Sequence, residues 1–267
     1  MIADWDAAYA NGARETDAPG IFADWGRRGA AFRATARGET GIAYGPHPRE
    51  RFDLFLPEGT PRGLIAFIHG GYWKAMDKDH SSWVAAGPVA RGWAVAVPSY
   101  PLAPEARIAA IGRSVARAAE AAAARVAGPV VLTGHSAGGH LAARLVCDDG
   151  LLAEGVAARV ARVVPISGVF DLRPLMRTAM NEALKIDAAE AAAESPALLR
   201  PRPGLRLTAW VGGSELPEFR RQNALLANVW TGLGADAEAV ETPGERHFGV
   251  VEPMAEAASP LVSALTG

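Results

Sequence analysis

The sequence predicts an α/β fold, with a mostly parallel central sheet of about eight strands and helices on both of its faces, as one domain over residues 1–267. Three observations lead there. Short apolar runs of strand length recur along the chain, and most are continuous rather than alternating, as expected of strands covered on both sides. Helical patterns separate these runs, and strands alternating with helices imply parallel pairing. No repeat, low-complexity linker or break in composition divides the chain.

Taken in order, residues 1–45 mix Trp, Tyr and charge without clear period, and short helices and loops capping the domain are expected there. "RFDLFLP" from Arg51 alternates as a strand, with Phe52, Leu54 and Leu56 on one face and Asp53 and Phe55 on the other. "GLIAFIHG" (63–70) and "GWAVAVPSY" (92–100) are continuous strand runs. The Ala-rich stretch from Glu105 to Val126 reads as a helix. "GPVVLTG" (128–134) is a strand leading into the helix "SAGGHLAARLVCDDG". Further strands are expected in "ARVVPISG" (161–168), "LRLTAWVGG" (205–213) and "ADAEAVETPG" (235–244). Helices are expected in "LPEFRRQNALLANVW" (216–230) and in the C-terminal "VVEPMAEAASPLVSAL".

With 49% apolar and 21% charged residues the composition is that of an ordinary globular protein. The 27 basic and 29 acidic side chains give a net charge of −2 without a block of either sign, which argues against a nucleic-acid surface or a polybasic membrane patch. A small-molecule substrate is the expected partner. Oligomeric state is left open, a homodimer included. The one cysteine, Cys147, rules out an internal disulfide framework, fits a reducing compartment, and reads as a small buried apolar side chain. The N-terminal stretch has no basic start followed by an apolar core, and no run of about 18 apolar residues exists. A cytoplasmic protein is expected.

The chemistry centres on "VVLTGHSAGGHL". Gly134-His135-Ser136-Ala137-Gly138 is a G-x-S-x-G between a strand and a helix. A serine hydroxyl is a poor nucleophile, and a tight strand-to-helix turn exposes it to substrate and base. The N–H of Ala137 would face the site from a helix N-terminus, where an anion is favoured. A dinucleotide-binding loop would need glycine where Ser136 stands. A P-loop fails for want of Gly-Lys-Ser/Thr. An inert glycine-rich turn is the remaining alternative.

A serine nucleophile on such a fold is followed by an acid and then a histidine. His247, in "ETPGERHFGVVEP", follows the last expected strand. The first carboxylate after the preceding strand is Glu215. Asp171, in "SGVFDLRP", is its rival and comes one strand early; Glu218 reads as a helix-dipole or capping residue. His135 and His140 flank the serine without the spacing of a metal pair, so neither a metal nor a cofactor is expected. "FIHGGYWK" (67–74) supplies the remaining part. Lipases and esterases take oxyanion donors from an HGGG-type loop after an early strand. The N–H groups of Gly71 and Tyr72 stand in that position, beside His69, which is expected to order the loop.

The chain resembles the α/β-hydrolase superfamily and, within it, the kynurenine formamidase (arylformamidase) family. His69-Gly70-Gly71-Tyr72-Trp73 matches that family's H-G-G-x-W motif, and the resemblance continues in "GHSAGGHLAARL", "ISGVFDLRPLMRTAMNEALKID", "ESP" at 194–196 and "SELPEFRRQN". It runs from about Tyr44 to the end. It implies Ser136 as nucleophile, His247 as base, Gly71 and Tyr72 as oxyanion donors, and hydrolysis of N-formylkynurenine to kynurenine and formate. The family has Asp at the acid position where this chain has Glu215. Tyr72, Trp73 and Phe248 are candidates to flank an aromatic leaving group. The alternatives are a short-chain carboxylesterase or thioesterase with the same triad, and a hydrolase-fold binding protein that has lost catalysis.

Overall fold

The computed structural model describes residues 2–15 and 17–267. Met1 and Thr16, which fall in the stretch expected to be helix and loop, lie outside the described residues. Eight strands form a single sheet: β1 (Gly38–Ala43), β2 (Arg51–Phe55), β3 (Leu64–Ile68), β4 (Ala94–Pro98), β5 (Val130–His135), β6 (Val160–Ile166), β7 (Arg206–Gly212) and β8 (Asp236–Thr242). Their spatial order is β1-β2-β4-β3-β5-β6-β7-β8. β2 pairs antiparallel with β1 and β4, and every pairing from β4 through β8 is parallel.

The continuous apolar runs are the central strands, and their period of two feeds both faces. Leu64, Ala66 and Ile68 join the core on one side of β3, while Ile65 and Phe67 join the core on the other. On the first side lie the Ala-rich helix Ile108–Ala123, the helix Ala137–Arg144 and the helix Pro217–Gly232. The second side is covered by helix Ala18–Thr35, a turn around Trp83, and the C-terminal helix Pro260–Thr266. Among the described residues no helix is long and apolar enough to cross a membrane.

Two differences from the sequence reading concern the N-terminal stretch. Residues 18–35 form one long helix rather than short pieces, with Trp25 and Gly29 on its buried face. Gly29 lies so close to the main chain of Asp79 that a Cβ would sit 2.0 Å from its carbonyl oxygen. Residues 38–43 form the edge strand β1, whose glycines and mostly exposed side chains hide the usual alternation. Asp53, placed on the second face of β2, is fully buried. It accepts the N–H of Gly41 at 2.8 Å and pairs with Lys78. At the C-terminal end the expected helix is split into a 3₁₀ stretch, Gly249–Ala255, and the helix that starts at Pro260.

Candidate active site

β5 runs directly into helix Ala137–Arg144, with Ser136 at the junction at φ 56°, ψ −117°. A non-glycine residue there is strained, at a cost of about 1–3 kcal/mol, and persists only where the surroundings fix it. They do so here: the Ser136 N–H donates to the Ile166 carbonyl on β6 at 2.8 Å, and its own carbonyl accepts from the His140 N–H at 3.1 Å. The helix starts hard against β3. A Cβ on Gly138 would sit 1.9 Å from the carbonyl oxygen of Ile68, so only glycine allows this turn.

Two loops at the same end of the sheet bring together the residues expected as acid and base. Glu215 follows β7 and His247 follows β8, and Glu215 Oε2 lies 2.6 Å from His247 Nδ1, both side chains being buried. The other oxygen, Oε1, accepts the Gly212 N–H at 2.9 Å and the hydroxyl of Ser167. Burial by itself would raise this carboxyl. The His247 charge and the three hydrogen bonds outweigh it and hold Glu215 below its ordinary 4.5. An ionised Glu215 accepts the His247 Nδ1–H, which leaves Nε2 as the ring nitrogen open to a proton, as a general base needs. Asp171 is occupied elsewhere: Arg173 donates to its two oxygens at 2.8 and 2.9 Å.

The glycine loop after β3 passes alongside. A Cβ on Gly70 would lie 3.2 Å from the Ser136 Cβ. His69 orders the loop, its Nδ1–H donating to the Gly70 carbonyl at 2.7 Å and its ring stacking on Tyr100 at 4.2 Å. Burial pushes the His69 pKa down to about 4, so the ring is neutral near pH 7. Gly71 sits at φ 104°, where a Cβ would meet the Ala75 carbonyl oxygen at 2.3 Å. Tyr72 and Trp73 follow in the left-handed region at φ 49° and 56°. Among the described residues, no hydrogen bond takes the N–H of Gly71, Tyr72 or Ala137 as its donor. The two aromatic side chains part company. The Tyr72 hydroxyl donates to the Tyr9 carbonyl at 2.6 Å and its ring faces the cavity. Trp73 turns into the core, fully buried with its ring edge-on to His140 at 5.1 Å, and takes no part in the cavity wall.

A cavity of about 400 Å³ opens over Ser136. It gathers Ser136, His247, Gly71, Tyr72 and Phe248, while Ala137 and Glu215 lie behind the residues they flank. Its wall also contains residues the sequence reading did not single out as wall: Asn11, Phe22 and Trp25 from the N-terminal stretch, and His135 from the elbow itself. His135 Nε2 bonds the His247 carbonyl at 2.7 Å. Ser167, which supports Glu215 from a strained φ of 52°, was equally unmarked. Its clue was its place directly after β6, at the same sheet end as the elbow. Cys147 is buried away from this cavity, and burial pushes its thiol up to about 12. Among the described residues no cluster of three or more His, Cys, Asp or Glu is placed to hold a metal ion.

A serine on a strained strand-to-helix turn, a carboxylate–imidazole pair from the loops after β7 and β8, and the sheet order define a class. Residues 65–264 match the model of the alpha/beta hydrolase family, and the chain belongs to that family of enzymes. Within it, the chain is similar to a kynurenine formamidase of Danio rerio, 28% identical over 226 residues that cover 80% of this chain and 76% of that protein. Its structure is similar to a crystal structure from Silicibacter provisionally described as a thioesterase. That match has 46% identity, 99% of both chains covered and a TM-score of 0.95. A carbohydrate esterase from gut microbiota shares the fold at a TM-score of 0.69 and 19% identity, over 86% of this chain and 94% of that one.

Proposed function

We propose that this enzyme is a serine hydrolase that cleaves aryl formamides, with N-formylkynurenine as the substrate and kynurenine and formate as products. The observation that carries the reading is His247, bonded to buried Glu215 at 2.6 Å, lining one cavity with Ser136 and the Gly71–Tyr72 loop. His247 Nε2 takes the Ser136 proton as Oγ attacks the formyl carbon. The tetrahedral oxyanion is received by the N–H groups of Gly71, Tyr72 and Ala137, where losing one such donor costs about 2.7–4 kcal/mol. The C–N bond then breaks as His247 passes the proton to the leaving aryl amine. Water, deprotonated by His247, attacks the formyl-enzyme, releases formate and returns the proton to Ser136. Similarity to the kynurenine formamidase supports the formyl substrate.

A second reading keeps the triad and changes the acyl group. The Silicibacter likeness favours a thioesterase or short-chain carboxylesterase. Measuring kcat/KM on N-formylkynurenine, p-nitrophenyl acetate, p-nitrophenyl butyrate and a short acyl thioester separates the two. The formamidase reading expects the first to lead, and a thioester or butyrate lead by tenfold or more overturns it. Ser136→Ala is expected to lower kcat by about 10⁶ on whichever substrate leads.

A further inference from the structure

The N-terminal stretch lies outside the residues that match the family model, yet it builds much of the cavity wall. Phe22 and Trp25 are one turn apart on helix Ala18–Thr35 and so share a face. Their rings meet edge-on at 5.7 Å. Both also meet Phe248 edge-on, at 5.0 and 5.8 Å. The series of rings continues from Trp25 to His135 at 6.2 Å and from His135 to His247 at 4.7 Å.

The stretch is tied to both working loops. At the oxyanion loop, the Tyr9 carbonyl accepts from Tyr72, and the Tyr9 hydroxyl donates to buried Glu218 at 2.9 Å. At the base loop, Arg246 donates to the Arg14 carbonyl at 3.0 Å, and the Trp25 Nε1–H donates to Glu252 at 2.6 Å. Through Trp25, and through Gly29 packed against the Asp79 main chain, helix Ala18–Thr35 is held as a wall of the site.

The position of the rings matters because His247 hands its proton to the leaving group, so the leaving group must lie on the His247 side. That side is the one the edge-on rings line. A cluster of rings meeting at right angles presents ring edges and faces that suit another flat ring better than an aliphatic chain of equal area.

We propose that Phe22, held by Trp25, is a specificity-determining residue that selects substrates with an aromatic leaving group, and that the N-terminal helix is the element that confers this selectivity. The inference rests on Ser136-centred hydrolysis with His247 as the proton donor, and it holds for ester, thioester or formamide alike. It assigns the role of the leaving-group wall to a helix that the family match does not reach.

The test keeps the acyl group constant and varies the leaving group. kcat/KM is measured on phenyl acetate and ethyl acetate for wild type, Phe22→Ala and Phe22→Leu, alongside Ki for phenol and 1-butanol as product inhibitors. These alcohols occupy the leaving-group side without turnover. In wild type the phenyl compounds are expected to lead once their intrinsic hydrolysis rates are divided out. Both the kinetic ratio and the Ki ratio should fall roughly tenfold in Phe22→Ala. Phe22→Leu, which keeps apolar bulk without a ring, should fall part of the way at an unchanged melting temperature. Equal losses on both leaving groups, or no change in either ratio, overturn the inference and make Phe22 a packing residue. If phenyl acetate is cleaved with the expected ratios while N-formylkynurenine is not, the formamidase reading fails and this inference stands. If wild type turns over neither an ester nor N-formylkynurenine, both fail.

Discussion

His135 Nε2 donates its proton to the main-chain carbonyl of His247 at 2.7 Å, joining the residue before Ser136 to the proposed base 112 residues later. The carbonyl accepts only, so the donor tautomer of His135 is fixed. Burial, and then the neighbouring His247, push its pKa down to about 3, and the ring stays neutral. Neutrality is useful in the proposed mechanism, since a second cation 4.7 Å from His247 would oppose the imidazolium that mechanism forms. His135→Ala frees the base loop, and kcat is expected to fall by about 10–100-fold with a smaller change in KM. His135→Gln, which retains a donor, should recover part of the loss. Equal activity in all three proteins would show that the loop holds itself.

Glu215→Gln places an amide next to Nδ1 and favours the wrong tautomer. Its kcat should drop by about 10⁴, the scale seen when the acid of a serine triad becomes an amide. Asp171→Asn loses only a partly exposed pair with Arg173, worth about 0–1 kcal/mol, and should leave kcat within a few-fold. Steady-state kinetics on the two variants decides between the acids, and a large loss confined to Asp171→Asn would reverse the assignment.

Three buried histidines set the acid limit of the fold. Burial lowers His69 and His140 to about 4 and His135 to about 3, from 6.5. Between those values and 6.5 the unfolded chain binds protons that the folded chain refuses. Stability is therefore full above pH 6.5 and declines as pH falls toward 4, each group contributing a slope of about 1.4 kcal/mol per pH unit. Glu215, held below 4.5, adds a loss of the same sign at lower pH. Denaturant titrations from pH 7.5 to 4 should show this slope, and His140→Gln should make it shallower by about one proton. A flat profile across that range contradicts the neutral-histidine assignment.

Gly138→Ala puts a methyl group against the Ile68 carbonyl. Overpacking of this kind costs about 1–3 kcal/mol or more, so the melting temperature should drop by several degrees. Labelling by a serine-directed fluorophosphonate should fall as the elbow shifts. Unchanged melting and labelling would mean that the helix start relaxes freely.

Much of this arrangement was legible in the chain. The strand runs at 63–70, 92–100 and 128–134 are the central strands, because burial on both faces leaves the same continuous apolar signature wherever it occurs. Chain order placed Glu215 rather than Asp171 beside His247, since each successive parallel strand delivers its loop to the same end of the sheet. What stayed hidden depends on contacts between distant residues. Gly20, Gly26 and Gly29 weaken the helical signal of residues 18–35, although Gly29 serves close packing there. Tyr72 and Trp73 are adjacent in sequence and similar in chemistry. Only the left-handed turn at both residues sends one to the cavity and the other into the core.

The bond from Trp25 to Glu252 spans 227 residues. It has a consequence for the order in which the molecule is made. Strands emerging from a ribosome can pair as they appear, but helix Ala18–Thr35 has no docking partner at Glu252 or Phe248 until the chain beyond β8 has been synthesised. The central sheet, with the helix already packed against Asp79 and Trp83, can therefore form on a nascent chain that still lacks Phe248 and the proposed base, His247. The bond that ties the helix to the stretch after β8 closes only once that stretch has been made.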